Sequence, residues 1–179
     1  MQMEDDVKLA RQGDREAFIR LIHELENGLY GVARSMVTRD EDCADAIQET
    51  ILKAYHAIPG LKEPQYFKTW LFRILINECN SILKKRKRSI PSDTLGAGMA
   101  VAGASSDYDR VDLRTVVDRL EEGLRVVVTL HYFEDMPLRQ ISEVLGTPEG
   151  TVKSRLHRAR LLLAEWLGPS TERMMSCES

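Results

Sequence analysis

The chain has 179 residues, of which 43% are hydrophobic and 30% are charged, and its formal net charge is −3. This balance is typical of a folded globular protein, and the length suits one large domain or two small ones. No apolar run approaches the ~20 residues that a membrane-spanning helix needs, and the acidic residues 1–6 do not resemble a secretory signal. We therefore expect a cytoplasmic protein.

The spacing of cysteine and histidine residues argues against metal sites and disulfides. Cys43, Cys79 and Cys177 form no C-x-x-C pair, and the four histidines have no metal-ligand spacing. Cys43 and Cys79 fall at apolar helical positions, where we expect reduced core side chains. No G-x-x-x-x-G-K-[ST] loop is present, and residues 81–84 match S-x-x-K without its companion motifs. The sequence thus predicts no cofactor, no small-molecule substrate and no enzymatic activity.

Charge is distributed unevenly along the chain. Residues 1–60 carry a net charge of −5, residues 61–90 a net charge of +6 and residues 137–160 a net charge of +3. Two basic segments in a mildly acidic chain indicate local contacts with a polyanion.

Apolar residues recur at three- and four-residue steps through the first half of the chain, which predicts three helices. Asp14 is expected to cap the first, Asp40 to begin the second and Pro59-Gly60 to end it, and the third runs into the basic segment 84–88. Cations there also suit the negative end of a helix dipole. The expected apolar positions are Phe18, Leu21, Ile22, Leu25, Leu29, Val32, Ala33 and Met36, then Cys43, Ile47, Thr50, Ile51, Ala54 and Ile58, then Phe67, Trp70, Leu71, Ile74, Leu75, Cys79, Ile82 and Leu83.

Residues 89–110 interrupt the helical pattern with Gly, Ala, Ser and Asp, which favours a flexible linker, although a short docked helix over 95–104 is an alternative. Helical spacing returns at Val111 and continues to Phe133. Residues 126–129 have strand propensity, but the spacing on both sides favours helix. We predict an all-α fold of two small helical domains, 1–90 and 111–168, joined by a linker at 91–110 and followed by a tail at 169–179.

Residues 138–166 have the pattern of a helix-turn-helix. Gly146 suits the left-handed residue that ends a first helix. In a second helix, Thr147 suits the N-cap, Pro148 the first helical position and Glu149 the first turn. The second helix is expected to bury Val152, Leu156, Ala159, Leu163 and Trp166. Its opposite face would present Lys153, Ser154, His157 and Arg158 to base edges, with Arg155 and Arg160 flanking them for phosphates.

A second candidate surface lies in the basic segment 61–90. Tyr66, Phe67, Trp70, Phe72 and Arg73 precede Asn77, and aromatic side chains beside cations suit unstacked bases and a strand backbone. Phe67 and Trp70 also fit the apolar stripe, so a core role for these two is an open alternative. Asp45, Gln48 and Glu49 form a polar patch at helical spacing that could equally be a solvated face.

These segments resemble the extracytoplasmic-function (group IV) sigma factors of bacterial RNA polymerase. The motifs are DAIQETILKAY at 45–55, FKTWLFRILIN at 67–77, YFEDM at 132–136, ISEVLG at 141–146 and GTVKSRLHRAR at 150–160. The resemblance covers about residues 5–167, and the order of the motifs also agrees.

The resemblance implies a factor that binds core RNA polymerase, through the largest subunit's clamp helices and the flap, and that directs stress-responsive, promoter-specific transcription. Asp45, Gln48 and Glu49 would dock on the polymerase, and an anti-sigma factor, commonly membrane-bound, would hold the free protein. The −35 element would be read by Lys153, Ser154, Arg155, His157 and Arg158. The −10 element would be opened and contacted by Lys62, Tyr66, Phe67, Arg73, Asn77, Lys84 and Lys85.

Two segments depart from the family pattern. Leu120 is followed by Glu121-Glu122-Gly123 where the family usually has Pro, which leaves the local helix start open. The resemblance also implies that Asn77 and the 60–67 loop capture a base flipped from the −10 element. Residues 60–64 lack the family's Phe-Arg-Gly-like stretch, which leaves the identity of that base open. The main alternative function is a stand-alone helix-turn-helix regulator that binds a palindrome as a dimer. A purely structural helical adaptor is a further alternative.

Overall fold

In the computed structural model, residues 2–89 and 113–167 are described, and all their regular elements are helical. The chain divides into two compact units, Met1–Met99 and Ala100–Ser179. The all-α prediction is therefore confirmed. The predicted linker, its alternative helix at 95–104, the tail at 169–179 and Cys177 lie outside the described residues, so the domain boundaries stay predictions.

Residues 2–89, the described part of the first unit, form four α-helices: α1 (Gln2–Arg11), α2 (Arg15–Met36), α3 (Asp40–Ala57) and α4 (Phe67–Ser89). Two short 3₁₀ turns, Ile58–Gly60 and Pro64–Tyr66, connect α3 to α4. As predicted, Asp14 caps α2, since its carboxylate accepts a hydrogen bond from the Ala17 amide at 3.1 Å. The core between α2, α3 and α4 is built from the expected stripes, with Leu21, Leu29, Cys43, Leu71 and Cys79 fully buried.

Helix α1 was not predicted from the sequence. It packs on α2 and on both 3₁₀ turns, and it buries Val7 and Ala10. Asp6 is nearly buried and accepts hydrogen bonds from the Arg20 guanidinium, one of them from Nε at 3.1 Å. The hydrogen bond and charge of Arg20 hold the pKa of Asp6 below its ordinary value of 3.8.

The second unit contains α5 (Leu113–Val117), α6 (Glu122–Val128), a π-helical turn (Thr129–Phe133), α7 (Leu138–Leu145) and α8 (Glu149–Leu167). The helical prediction for residues 126–129 is confirmed. Within the predicted helical stretch from Val111 to Phe133, the chain turns between α5 and α6, and the sequence did not predict this break. Leu120 is buried at that turn, and Arg125 donates a hydrogen bond to the Asp118 carbonyl at 2.9 Å.

The break between α5 and α6 keeps the four-residue step from Leu120 to Leu124, so apolar spacing alone could not reveal it. It lets α5 pack against α8. Two cation–π contacts accompany that packing, from Arg114 to Phe133 (5.3 Å) and from Arg119 to Trp166 (4.9 Å). Without the family's proline, α6 begins at Glu122, directly after an extended Glu121.

Candidate nucleic-acid interface

The turn between α7 and α8 sets the direction of the second helix. Gly146 has φ +59° and ψ +33°, the left-handed conformation that glycine adopts at least cost. The Thr147 amide donates to the Ser142 carbonyl at 3.1 Å, and the Ser142 hydroxyl donates to the Thr147 carbonyl at 2.7 Å. The predicted glycine stop is therefore confirmed, and two hydrogen bonds close the turn around it.

The expected capping of α8 by the Thr147 side chain was wrong. Its hydroxyl donates backwards, to the Leu145 carbonyl at 3.4 Å. The first intrahelical bonds instead run from the Thr151 and Val152 amides to the Pro148 carbonyl. Pro148 thus flanks the helix, and Glu149 is its first residue.

Helix α8 has one buried and one exposed face, as the sequence predicted. Val152, Leu156, Ala159 and Leu163 are buried, whereas Trp166 is only half-buried. The opposite face is exposed and consists of Lys153, Ser154, His157 and Arg158. Four polar side chains thus line the first half of the helix, where a major-groove helix meets base edges.

Two arginines of α8 make contacts within the unit. Arg155 is half-buried and lies against the start of α6. The guanidinium carbon of Arg155 would be 3.8 Å from a Cβ added to Gly123. Arg160 donates from Nε to the Tyr132 hydroxyl at 2.5 Å and lies 5.7 Å from the ring centroid. Arg160 therefore anchors α8 to the π-helical turn, a contact that sequence reasoning missed because the partners are 28 residues apart.

The residues predicted to contact the −10 element do not all lie on one surface. Lys62 and Tyr66 are exposed at the turns before α4, and Tyr66 keeps 49% of its surface accessible. Arg73, Asn77 and Lys84 are exposed along α4 at steps of four and seven, which places them on one helical face.

Phe67 belongs to neither exposed group. It is fully buried, as is Phe72, so these rings build the core and do not form a stacking surface. The prediction of a DNA contact for Phe67 is corrected accordingly, because the ring has no surface accessible to a base. Trp70 remains half-buried beside it, with ring centroids 5.8 Å apart.

The basic end of α4 does not form one cluster. Arg86 pairs with Asp42 of α3 at 3.2 Å. Lys85 lines a polar groove between α3 and α4 that also contains Asp45, Gln48 and Glu49. Lys85 thus lies beside the predicted polymerase patch, whereas Lys84 shares the face of Arg73 and Asn77.

The polar patch on α3 is exposed, as expected. Within the groove, Lys53 of α3 donates to Glu78 of α4 at 2.5 Å, and the Glu78 side chain is only 16% exposed. That hydrogen bond is the main cause that raises the pKa of Lys53 above its ordinary value. This interhelical pair, between residues 25 apart, had no signal in the sequence.

An apolar hollow adjoins the polar patch and was also not predicted. It is lined by Tyr30 of α2 and by Ala44, Ile47, Ile51 and Leu52 of α3, with Gln48 shared by hollow and groove. Tyr30 and Leu52 are each 47% exposed. An exposed apolar hollow bordered by polar residues has the composition of a protein–protein contact.

The described residues contain neither a membrane-spanning helix nor a cluster of metal ligands. No described helix is long and apolar enough to cross a membrane. Across residues 2–89 and 113–167, no three His, Cys, Asp or Glu side chains form a group that could hold a metal ion.

Comparison with known proteins identifies both units. Residues 21–89 match the family description "Sigma-70 region 2", and residues 110–163 match "Sigma-70, region 4". The ECF RNA polymerase sigma-E factor of Haemophilus influenzae is 30% identical over 179 residues, covering 91% of this chain and 94% of that protein. RNA polymerase sigma factor SigV of Bacillus subtilis is 29% identical, covering 86% and 92%.

A solved structure agrees with these matches. The sigma factor RpoE from Bartonella quintana, in complex with the anti-sigma factor NepR, superimposes with a TM-score of 0.71 at 28% identity, covering 84% of this chain and 96% of that one. The matches to both regions, the full-length relatives and the shared fold agree: the chain belongs to the extracytoplasmic-function sigma factors of the sigma-70 family.

Proposed function

We propose that this sigma factor binds core RNA polymerase through the α3 patch and directs initiation by reading two promoter elements. The observation that carries the proposal is the exposed polar face of α8, held by the Gly146 turn, together with a docking surface and an exposed polar face in the other unit. A single DNA-reading helix would suffice for a repressor. The additional α3 and α4 surfaces favour a sigma factor over a stand-alone regulator.

The docking surface combines a polar and an apolar part. Asp45, Gln48 and Glu49 supply acceptors that can pair with basic residues of the polymerase clamp helices, while the neighbouring hollow supplies apolar area. Specific interfaces commonly join a desolvated apolar centre to a polar rim. We assign the hollow to the centre of this interface and Glu49 to its rim.

The −35 element would be read by α8. Arg158 and Lys153 can donate to guanine edges in the major groove, and Ser154 and His157 can serve bases or phosphates. Arg155 lies half-buried at the edge of this face, where a phosphate contact would fix the register of the helix. Arg160 is not assigned to DNA because it is bonded to Tyr132.

The −10 element would be opened by the turns before α4 and by the exposed face of α4. Unstacking a base costs a few kcal/mol. Stacking on an aromatic ring such as the half-exposed Tyr66 is worth about 1–3 kcal/mol per base, and Arg73 and Lys84 add contacts to the strand backbone. We propose that this binding energy opens the promoter without nucleotide hydrolysis, and that the factor is not an enzyme.

An anti-sigma protein is the proposed regulator of the free factor. Support comes from the Bartonella quintana relative, whose solved structure contains one. Covering the exposed α3 patch would block polymerase binding, so release of the partner would activate transcription.

The docking proposal is tested by titrating the full-length chain onto core RNA polymerase. We expect Glu49→Gln to weaken the complex by about two- to fivefold, the range expected for loss of one ion pair at the exposed rim of an interface. Glu24→Gln, the same change at an exposed position of α2 outside both patches, should bind like the parent. Equal affinities for all three proteins would refute docking through Glu49.

A further inference from the structure

In the groove between α3 and α4, the carboxylates of Glu49 and Glu78 are both candidates to pair with the Lys53 ammonium. Lys53 follows Glu49 by four residues on α3, the order and spacing in which a Glu–Lys pair forms most favourably on a helix. The lysine does not make that local pair. Its ammonium instead donates to Glu78 of α4 at 2.5 Å.

The burial of Glu78 explains why Lys53 pairs with it instead of with Glu49. The Glu78 side chain is only 16% exposed, and a carboxylate removed from water needs a paired cation. Glu49 is exposed and can be solvated without one. Within residues 2–89 and 113–167, Glu49 consequently makes no direct ion pair, although its charge still acts on Lys53.

We propose that Glu78 is a positioning residue, which holds Lys53 away from Glu49 and so keeps the Glu49 carboxylate available to the polymerase. The inference rests on the proposed docking role of Glu49. Without Glu78, Lys53 would turn back along α3 and pair with Glu49. A polymerase cation would then have to displace a cation that the chain already supplies.

The charge balance of the groove points in the same direction. Asp45, Glu49 and Glu78 lie against Lys53 and Lys85, which leaves one excess negative charge. Removing Glu78 alone would cancel that excess. Removing Glu78 and Lys53 together would preserve it and would also remove the competing cation.

Core RNA polymerase affinity tests the proposal with the full-length chain and two variants. Glu78→Met, which is similar in volume and accepts no strong hydrogen bond, should bind core enzyme about two- to fivefold more weakly, the range expected from one surface ion pair. Adding Lys53→Met to it should restore affinity to that of the parent, although it deletes a further charge. A merely structural role for Glu78 would not predict rescue by a second deletion.

Asp42→Asn is the matched control, because it breaks the other ion pair between α3 and α4 (Asp42–Arg86) without freeing a cation four residues from Glu49. It should bind like the parent. If Glu78→Met fails to fold, Glu78→Gln keeps the shape of the side chain while removing its charge, and the same order of affinities is expected.

Parental affinity in the Glu78 variant, or an equally weak double variant, would overturn the proposal. A crystal structure of Glu78→Met separates this failure from failure of the proposed function. If Lys53 Nζ bonds Glu49 there while Glu49→Gln binds polymerase normally, the positioning holds and docking through Glu49 is wrong. If Lys53 does not approach Glu49, the positioning role itself is wrong.

Discussion

The left-handed Gly146 provides a quantitative test of the turn that orients α8. Gly146→Ala adds a Cβ that meets no atom within 4 Å, so the cost comes from the backbone alone. A left-handed conformation costs a non-glycine residue about 1–2 kcal/mol. The reduced freedom of the unfolded chain returns about 0.4–1 kcal/mol. The difference between the midpoints of these two ranges gives an expected net destabilisation of about 0.8 kcal/mol.

Gly150→Ala is the matched control, four residues away. Gly150 lies in the first turn of α8, also has open space at its Cβ and has no positive φ. Alanine there should stabilise the unit by about 0.4–1 kcal/mol. The two substitutions are chemically identical, so the opposite signs isolate the conformation of residue 146.

Fluorescence of Trp166 follows unfolding of the second unit once Trp70, the chain's other tryptophan, is replaced by Phe in every protein compared. A change of 1 kcal/mol moves the Tm of a domain of 60–100 residues by about 4–8 °C. Gly146→Asn should lose less stability than Gly146→Ala, since Asn tolerates the left-handed region. A Gly146→Ala protein as stable as the parent, or Gly150→Ala destabilised by the same amount, would refute the reasoning.

Two further predictions concern DNA recognition and acid stability. Arg158→Ala should reduce discrimination between −35 sequences by about 1–3 kcal/mol in a footprinting titration of holoenzyme. Arg139→Ala, at an exposed position of α7, should leave that discrimination unchanged. An equal loss of affinity for every sequence would exclude base reading by Arg158. Arg20 lowers the pKa of Asp6 in the folded state, so the Asp6–Arg20 pair stabilises the protein above the unfolded-state pKa of about 3.9. This contribution to stability is lost as the pH falls through the folded-state pKa of Asp6. Asp6→Asn should thus be less stable than the parent at pH 6, and the difference should shrink as the pH falls through the folded-state pKa of Asp6; a difference that does not change with pH would contradict this origin.

The features that sequence predicted correctly depend on local spacing. The three- and four-residue steps of α2, α4 and α8 identify their buried faces, and Gly146 marks a turn because few other residues adopt its φ at low cost. The exposed face of α8 follows directly from its buried one. These properties need no knowledge of the neighbouring helices.

The features that the sequence did not predict depend on partners that are far apart in the chain, or on an apolar spacing that continues unchanged across a turn. The turn at Asp118–Glu121 preserves the apolar step across it, and α1 is too short and polar to show a clear pattern before it packs on α2. The pairs Lys53–Glu78 and Arg160–Tyr132 join residues 25 and 28 apart. The sequence left Phe67 open between a core position and a DNA contact. Its full burial in the folded unit assigns it to the core.

Transcription with purified core RNA polymerase tests the central claim most directly. Genomic fragments of the source organism would be transcribed with core enzyme alone and with the full-length chain added, and the 5′ ends of the RNAs sequenced. We predict a limited set of start sites that appears only with the chain and shares two upstream elements at a constant spacing. The same start sites with and without the chain would contradict its assignment as a promoter-specific initiation factor.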